Sequence, residues 1–145
     1  MPVVCCGCPT LSSLWEVDLT GRFEGDGAPR LYLFDVDDTL EVSGGPVLLE
    51  QVAELKQSGH IVGLCGNWGV VTRQVPEWHR LFTIVGPMAA SKEELLRQVA
   101  ENIPASDYIL VGNILGVTGA SDDEGSAKAA GWRFIREGDF AEGVR

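Results

Sequence analysis

From residue 31 onward the chain alternates short apolar runs with segments of helical spacing, and this alternation constrains the fold more than any other sequence feature. Short apolar runs between turn-forming residues are typical of strands that are buried on both faces. A strand, a helix and a second such strand form the repeating unit of a parallel sheet. The pattern therefore predicts one α/β domain over residues 31–145, preceded by an N-terminal extension of residues 1–30.

The predicted elements follow one another closely along this domain. Strands are expected at 31–36, 61–65, 82–85, 108–111 and 132–135. Helices are expected at 47–58, 70–75, 91–103 and 122–130, and a further short strand at 14–19 in the extension. The expected fold is a Rossmann-like three-layer sandwich with a five-stranded, mostly parallel sheet and no large cap domain.

The first strand ends in a cluster of acids, in the segment Phe-Asp-Val-Asp-Asp-Thr-Leu at residues 34–40. Because side chains alternate along an extended backbone, Asp35 and Asp37 are expected to point to the same side. Two like charges at such a short distance from each other are unfavourable unless a cation or a proton lies between them. An Asp-rich turn is the structural alternative, but ligands of parallel sheets bind beyond the carboxyl ends of strands, where these acids lie.

Two later turns are expected at the same edge of the sheet. The turn after the second strand contains Gly66 and Asn67, whose backbone amides can approach an anion. The turn after the fourth strand contains Asn113, and Asp122 and Asp123 follow at the start of the next helix. These residues are therefore candidates for one site together with the acids of the first turn.

The charge balance limits the class of partner. The chain has a formal net charge of −10, so no general basic surface is expected and nucleic acid is not a default partner. A phosphorylated substrate would need a metal ion and a well-placed lysine to offset the repulsion. No apolar stretch approaches the ~20 residues of a membrane span, and the N-terminus lacks the pattern of a secretion signal, so we expect a cytoplasmic protein without membrane contact.

Three of the four cysteines, Cys5, Cys6 and Cys8, lie close together near the N-terminus. One Cys-x-Cys without a second pair of ligands is a weak signal for a metal or redox site. Cys65 ends an apolar run and is expected to be a buried, small core residue.

Taken together, these segments resemble the haloacid dehalogenase-like superfamily of aspartate-nucleophile phosphatases, over roughly residues 31–136. The segment at 34–40 is similar to the first motif of the family. The segment Tyr-Ile-Leu-Val-Gly-Asn at 108–113, followed by Ser-Asp-Asp-Glu-Gly-Ser-Ala-Lys-Ala-Ala-Gly-Trp at 121–132, resembles its fourth motif. Both motifs occur in the family's order, which is more specific than either alone.

The resemblance implies a Mg²⁺-dependent phosphohydrolase and a role for each matching residue. Asp35 would attack phosphorus and form an aspartyl-phosphate, and Asp37 would act first as acid and then as base. Mg²⁺ would be held by the Asp35 carboxylate, the Asp37 backbone carbonyl and Asn113, with Asp123 near it through water. Lys92 would be the lysine of the third motif, because it opens the helix between the third and fourth strands.

The roles of several other residues are less clearly defined by the sequence. Thr39, which organises the turn, is grouped with Gly66 and Asn67 as substrate-binding. Lys128 is the rival of Lys92 for the role of the catalytic lysine, and Asp122 is the rival of Asp123.

The chain also departs from the family's pattern. The family usually has Asp where Asn113 stands; an amide oxygen carries no charge, so on charge alone Asn113→Asp is expected to tighten Mg²⁺ dependence. The second motif offers no Ser or Thr hydroxyl, and the stretch 114–121 is longer than usual. A catalytically weak domain that binds a partner is therefore one alternative, and a phosphotransferase is another.

The missing cap predicts an open site. An open site suits a phosphorylated small molecule or a phosphoprotein, or a cover supplied by another subunit of a homo-oligomer or by the N-terminal extension with Trp15 and Phe23. Trp68, Trp78 and His79 near the second turn are candidates for its rim, with core packing as the alternative for the aromatic residues.

Overall fold

The structure, a computed structural model, describes residues 28–88 and 90–145. Within these residues it contains one five-stranded sheet in the order β3-β2-β1-β4-β5, and all neighbouring strands pair in parallel. The strands are β1 (Leu31–Phe34), β2 (Ile61–Cys65), β3 (Ile84–Gly86), β4 (Tyr108–Gly112) and β5 (Arg133–Arg136). The predicted α/β class and the five strands are therefore confirmed, and the sheet is entirely parallel.

Helices connect these strands on both faces of the sheet. In the described part of the chain they are α1 (Leu49–Gln57), α2 (Trp68–Gln74), α3 (Trp78–Leu81), α4 (Lys92–Asn102), α5 (Asp123–Ala130) and α6 (Glu137–Ala141). The Ser91 hydroxyl accepts a hydrogen bond from the Glu94 N–H, as expected for a helix N-cap, and Gly131 ends α5 with a φ of 76°. The two short helices α3 and α6 were not predicted, because four or five residues are too few to show a helical period.

Two separate cores pack against the two faces of the sheet. On one face Tyr32 and Phe34 of β1 contact the apolar side of α1 and Phe140 of α6. On the other face Leu31 and Leu33 of the same strand pack with residues of α4 and α5. Every side chain of β1 is buried, which explains why the sequence of this strand is a continuous apolar run. The strand lies at the centre of a three-layer sandwich.

The connections of β1 place a crevice at one edge of the sheet. β1 pairs with β2 on one side and with β4 on the other. From β1 the chain forms β2 and β3 on one side of this strand, and then crosses back to form β4 and β5 on the other side. Such a switch in strand order opens a crevice at the carboxyl ends of the two strands. The residues that follow β1 and β4 are therefore neighbours in space, as the sequence predicted.

Several predicted features need correction or lie outside the description. The first strand ends at Phe34 and the third begins at Ile84, because Phe82 instead ends α3 with a backbone hydrogen bond to Trp78. The segment from β1 to α1 contains only a short 3-10 turn, Glu41–Ser43, and no cap domain is found among residues 28–88 and 90–145. No helix in that part of the chain is long and apolar enough to cross a membrane.

The N-terminal features fall outside the described residues. These are the possible strand at 14–19, the cysteines Cys5, Cys6 and Cys8, and the aromatic residues Trp15 and Phe23.

Candidate active site

Asp35 lies directly after the central strand β1 with its side chain buried. Its backbone N–H donates to the Val111 carbonyl at 2.9 Å, which extends the pairing with β4 by one residue. Only 2% of the residue is exposed. Burial of a carboxylate is unfavourable unless its oxygens are paired, so the neighbours of its two oxygens determine what the group can do.

Lys92 provides the positive charge at one of those oxygens. Its Nζ donates to Oδ1 of Asp35 and to Oδ1 of Asp123, each at 2.6 Å. The lysine is mostly buried, with 18% of its side chain exposed, because it begins α4 where that helix meets the carboxyl edge of the sheet. The rival Lys128 is exposed on α5. The structure thus brings Lys92, the lysine predicted from the sequence, to Asp35.

The two neighbouring acids Asp122 and Asp123 have different positions. Asp122 is the N-cap of α5, and its side chain accepts from the Gly125 N–H at 3.0 Å. Asp123 is fully buried, and its second oxygen accepts from the Asn113 N–H at 2.8 Å. Asp123, which was favoured on spacing, is therefore the acid that enters the site.

Thr39 lies at the other oxygen of Asp35 and connects it to Asn113. The Thr39 hydroxyl is 3.3 Å from Oδ2 of Asp35 and 3.2 Å from Oδ1 of Asn113, and all three side chains are buried. A hydroxyl has one hydrogen, so it donates to only one of these two oxygens at a time. The other oxygen is then left without that donor. Thr39 also organises the turn, since its carbonyl accepts from the Val47 N–H.

Asp37, unlike Asp35, is exposed. Its two carboxylate oxygens lie 3.3 and 3.4 Å from Nδ2 of Asn67, the residue that precedes α2. Asp38, which follows it, has a φ of 56°, a left-handed conformation that Asp tolerates in turns. The Asp37 side chain thus lies at the exposed side of the site, next to Asn67.

Gly66 contributes differently from the prediction. Its backbone N–H donates to the Gly86 carbonyl at 3.2 Å, so that amide is engaged in the β2–β3 connection and does not face a ligand. A Cβ at this position would lie 2.8 Å from Oδ1 of Asp35 and 3.5 Å from Nζ of Lys92. The missing side chain therefore lets the Asp35–Lys92 pair pack closely against the Gly66 backbone, and a larger residue here would crowd the carboxylate.

The charges in this cluster shift the pKa values of its members. Burial, and next the charge of Asp123, raise the pKa of Asp35 to about 6, although Lys92 opposes the shift. Burial alone would lower the pKa of Lys92, but the two carboxylates raise it above its usual value. Burial also raises the pKa of the Cys65 thiol to about 12, which fits its predicted role as a buried core residue. The lysine is thus a permanent cation, whereas Asp35 can gain or lose a proton near neutral pH.

Two oxygen atoms that suit a divalent cation lie on either side of the Thr39 hydroxyl. They are Oδ2 of Asp35 and the amide oxygen of Asn113, and the Asn113 N–H donates to Asp123. Hard oxygen donors of this kind are those that Mg²⁺ prefers. Among residues 28–88 and 90–145 no group of three or more His, Cys, Asp or Glu side chains is placed to hold a metal ion. A cation here would therefore depend on the amide oxygen and on backbone carbonyls as well as on the carboxylates.

Glu137 and Thr118 form a contact next to Asn113 that was not predicted from the sequence. Glu137, the first residue of α6, is buried, and its Oε2 accepts from the Thr118 hydroxyl at 3.2 Å. Thr118 belongs to the loop that follows Asn113. The sequence signal for this loop was only its unusual length, and nothing in the sequence connected it to Glu137.

The predicted rim residues lie mostly in the core. Trp68 and Trp78 are partly buried and pack against the core that contains Phe34, as the structural alternative had it. His79 is exposed and contacts Trp78 edge to face.

In a comparison with known proteins, no family model, curated protein or solved structure matches the chain.

Proposed function

We propose that the chain is a Mg²⁺-dependent phosphohydrolase of the haloacid dehalogenase-like kind, acting on a phosphorylated substrate through Asp35. The observation that carries the proposal is the arrangement around this one carboxylate. Lys92 lies at Oδ1, Thr39 lies at Oδ2, and Asn113 contacts the same Thr39 hydroxyl, all at the carboxyl edge of the sheet. This arrangement supplies a nucleophile with positive charge beside it and oxygen donors opposite.

In the first step, an oxygen of Asp35 attacks phosphorus and the bond to the leaving oxygen breaks. The product is an aspartyl-phosphate together with an alkoxide that needs a proton. Asp37, in its protonated form, donates that proton, because its exposed side chain lies at the open side of the site beside Asn67. An alcohol leaves, and Asp37 becomes a carboxylate.

In the second step, Asp37 accepts a proton from water while the water oxygen attacks phosphorus. The bond between phosphorus and the Asp35 oxygen breaks, which releases phosphate and regenerates both carboxyl groups.

Charge neutralisation is the main requirement of this chemistry on a chain with a net charge of −10. Lys92 lies within hydrogen-bond distance of the nucleophile and offsets charge on the transferring group. Asp35, the Asp37 backbone carbonyl, Asn113 and Asp123 would hold Mg²⁺, which when bound neutralises charge on the phosphoryl oxygens. We also propose a cytoplasmic location, where a free thiol such as that of Cys65 stays reduced.

One observation favours a second candidate, a binding domain without catalysis. Lys92 lies 2.6 Å from both Asp35 and Asp123, as it would in a purely structural ion network. In that case the acids hold α4 and α5 against the sheet, and the fold serves to bind a partner.

Hydrolysis of 4-nitrophenyl phosphate and a panel of phosphate esters, with Mg²⁺ or with EDTA, separates the two candidates. The phosphohydrolase predicts a Mg²⁺-dependent rate that falls at least about a thousandfold in Asp35→Asn. Asp38→Asn is the matched control, because it removes the same charge from an exposed side chain of the same turn and Asn tolerates the left-handed backbone there. If the wild type and Asp35→Asn are equally inactive across the panel, the binding domain is the better account.

A further inference from the structure

The side chain of Asn113 is fixed at both of its ends. Its Nδ2 lies 3.3 Å from the Asp38 carbonyl oxygen and 3.4 Å from the Thr118 carbonyl oxygen, while its Oδ1 lies 3.2 Å from the Thr39 hydroxyl. An amide nitrogen has two hydrogens to donate, and here each has a carbonyl acceptor. The nitrogen end is thereby held between two backbone segments, and the oxygen end faces the Thr39 hydroxyl, which also contacts Asp35.

The loop after Asn113 folds back onto this side chain. The Gly116 N–H donates to the Gly119 carbonyl at 2.9 Å, and Gly116 has a φ of 73°, which favours glycine. A Cβ on Gly119 would lie 2.7 Å from Cγ of Asn113, so the loop backbone approaches the amide as closely as glycine permits. The Thr118 carbonyl is an acceptor for Asn113 only while the loop keeps this shape.

Glu137 holds the loop from outside the reacting centre. The Thr118 hydroxyl accepts from the Ile114 N–H at 2.8 Å and lies 3.2 Å from Oε2 of Glu137. Because the hydroxyl has a single hydrogen and already accepts a bond from the backbone, that hydrogen is free for Glu137. Glu137 is only 6% exposed, and a buried carboxylate that bonds the loop restricts its movement.

We propose that Glu137 and Thr118 are positioning residues, which hold the 114–119 loop so that the amide oxygen of Asn113 faces Asp35. This inference rests on the proposed function, because it treats that oxygen as a ligand of Mg²⁺. It also explains why an amide occupies position 113. A carboxylate there has no hydrogen to offer and would place an oxygen against the carbonyls of Asp38 and Thr118.

The geometry therefore reverses the expectation that charge alone gave for Asn113→Asp. The added negative charge attracts Mg²⁺, but the carboxylate loses both donor bonds and is repelled by two carbonyl oxygens. We expect Asn113→Asp to bind Mg²⁺ more weakly than the wild type, by about tenfold, as is typical when the support of a ligand is lost.

A pair of variants at Thr118 tests the positioning role. Thr118→Val keeps the shape of the side chain but loses the hydroxyl, whereas Thr118→Ser keeps the hydroxyl. Mg²⁺ affinity measured by isothermal titration calorimetry should fall about tenfold in Thr118→Val and stay within about twofold of the wild type in Thr118→Ser. Glu137→Gln retains an acceptor oxygen and should resemble Thr118→Ser.

A second readout follows Asn113 itself in the metal-free protein. The side-chain amide signals of Asn113, assigned in ¹⁵N-edited NMR spectra by their loss in Asn113→Asp, should shift and exchange faster with solvent in Thr118→Val. In Thr118→Ser they should keep their wild-type positions. A general loss of stability would change many signals in both variants and would not distinguish Val from Ser in this way.

The outcomes separate this inference from the proposed function. Weaker Mg²⁺ binding and shifted Asn113 signals in Thr118→Val alone support it, even if no phosphate ester is hydrolysed, in which case only the proposed function fails. Unchanged Mg²⁺ affinity in Thr118→Val, or a wild type that does not bind Mg²⁺, overturns it. If Thr118→Val does not fold, Asn113→Asp decides: weaker binding supports the inference and tighter binding overturns it.

Discussion

Lys92 and Asp35 form a nearly buried ion pair with 2.6 Å between Nζ and Oδ1, although 57 residues separate them in the sequence. Asp123 lies at the same distance from the same nitrogen. One cation thus holds two carboxylates, and the helices α4 and α5 that carry Lys92 and Asp123 pack against each other over the same face of the sheet. Lys92 thus offsets the charge of two buried carboxylates, one of which is the nucleophile of the proposed chemistry.

Replacement of Lys92 by Met should therefore lower both stability and activity. Removal of one partner of a buried ion network leaves the others uncompensated, which destabilises by about 3 kcal/mol. Urea unfolding in the presence of EDTA measures this loss. The control is Lys128→Met, an exposed lysine on α5 whose replacement should change the free energy of unfolding by less than about 0.5 kcal/mol. Equal stability of the two variants would mean that the Lys92 contacts contribute little.

Asp35→Asn should stabilise the metal-free protein at neutral pH. The pKa of Asp35 is about 6 in the folded protein, raised by burial and then by Asp123, against about 3.9 for an unfolded chain. Because the folded state keeps this proton more readily, the contribution of Asp35 to stability is greatest below pH 4 and declines as the pH rises to about 6. A neutral amide does not ionise, so its contribution to stability does not fall with rising pH. Asp35→Asn should therefore increase the free energy of unfolding by on the order of 2 kcal/mol at pH 7.

Urea unfolding of the wild type, Asp35→Asn and Asp38→Asn at pH 4 and pH 7, with EDTA, measures this difference. The gain of Asp35→Asn over the wild type should shrink toward pH 4, where the carboxyl group of Asp35 is protonated in the folded protein. Asp38→Asn, at an exposed position, should show no such trend. A loss of stability in Asp35→Asn at pH 7 would mean that the ion pair with Lys92 outweighs burial.

The sheet and the acids of the site could be predicted from the sequence because both depend on strong local patterns. The apolar run of β1 predicts a strand buried on both faces, and Asp35 directly follows it. Once the strands are parallel, their carboxyl ends lie at one edge, which brings Asn113 beside Asp35.

The supporting residues could not be predicted, because they depend on contacts between distant segments. Glu137 lies 19 residues from Thr118, on a helix of five residues with no apolar period, and only the folded chain brings them together. The acceptor of the Gly66 N–H likewise could not be predicted from the sequence. Whether a backbone amide faces a ligand or pairs with Gly86 depends on how β2 and β3 end beside each other.

Asp123→Asn and Asp122→Asn test which of the two adjacent acids serves the site. Asp123 is buried against Lys92 and the Asn113 N–H, whereas Asp122 caps α5 at an exposed position. Asn caps helices about as well as Asp, so Asp122→Asn should keep wild-type stability and Mg²⁺ affinity. Asp123→Asn should lower Mg²⁺ affinity about tenfold, measured by calorimetry. Equal affinities in the two variants would exclude a role for Asp123 near the metal.

Gly66→Ala should abolish activity through crowding rather than through backbone strain, and Gly86 offers a matched control. Both glycines have left-handed φ values, 134° and 152°, so Ala at either position should cost about 1 to 3 kcal/mol in the free energy of unfolding. A Cβ on Gly86 meets no atom within 4 Å, but one on Gly66 would lie 2.8 Å from Oδ1 of Asp35 and displace this carboxylate from Lys92.

Both alanine variants should lose stability in urea unfolding, Gly66→Ala more than Gly86→Ala because it also disturbs the Asp35–Lys92 pair, and they should differ most in catalysis. Gly86→Ala should retain a rate within about threefold of the wild type on 4-nitrophenyl phosphate, whereas Gly66→Ala should lose at least about a hundredfold, as expected when the reacting groups are misplaced by about 1 Å. The loss should appear in kcat, since the carboxylate that carries the reacting oxygen has moved. If both variants keep their activity, catalysis does not depend on the close packing of Asp35 against Gly66.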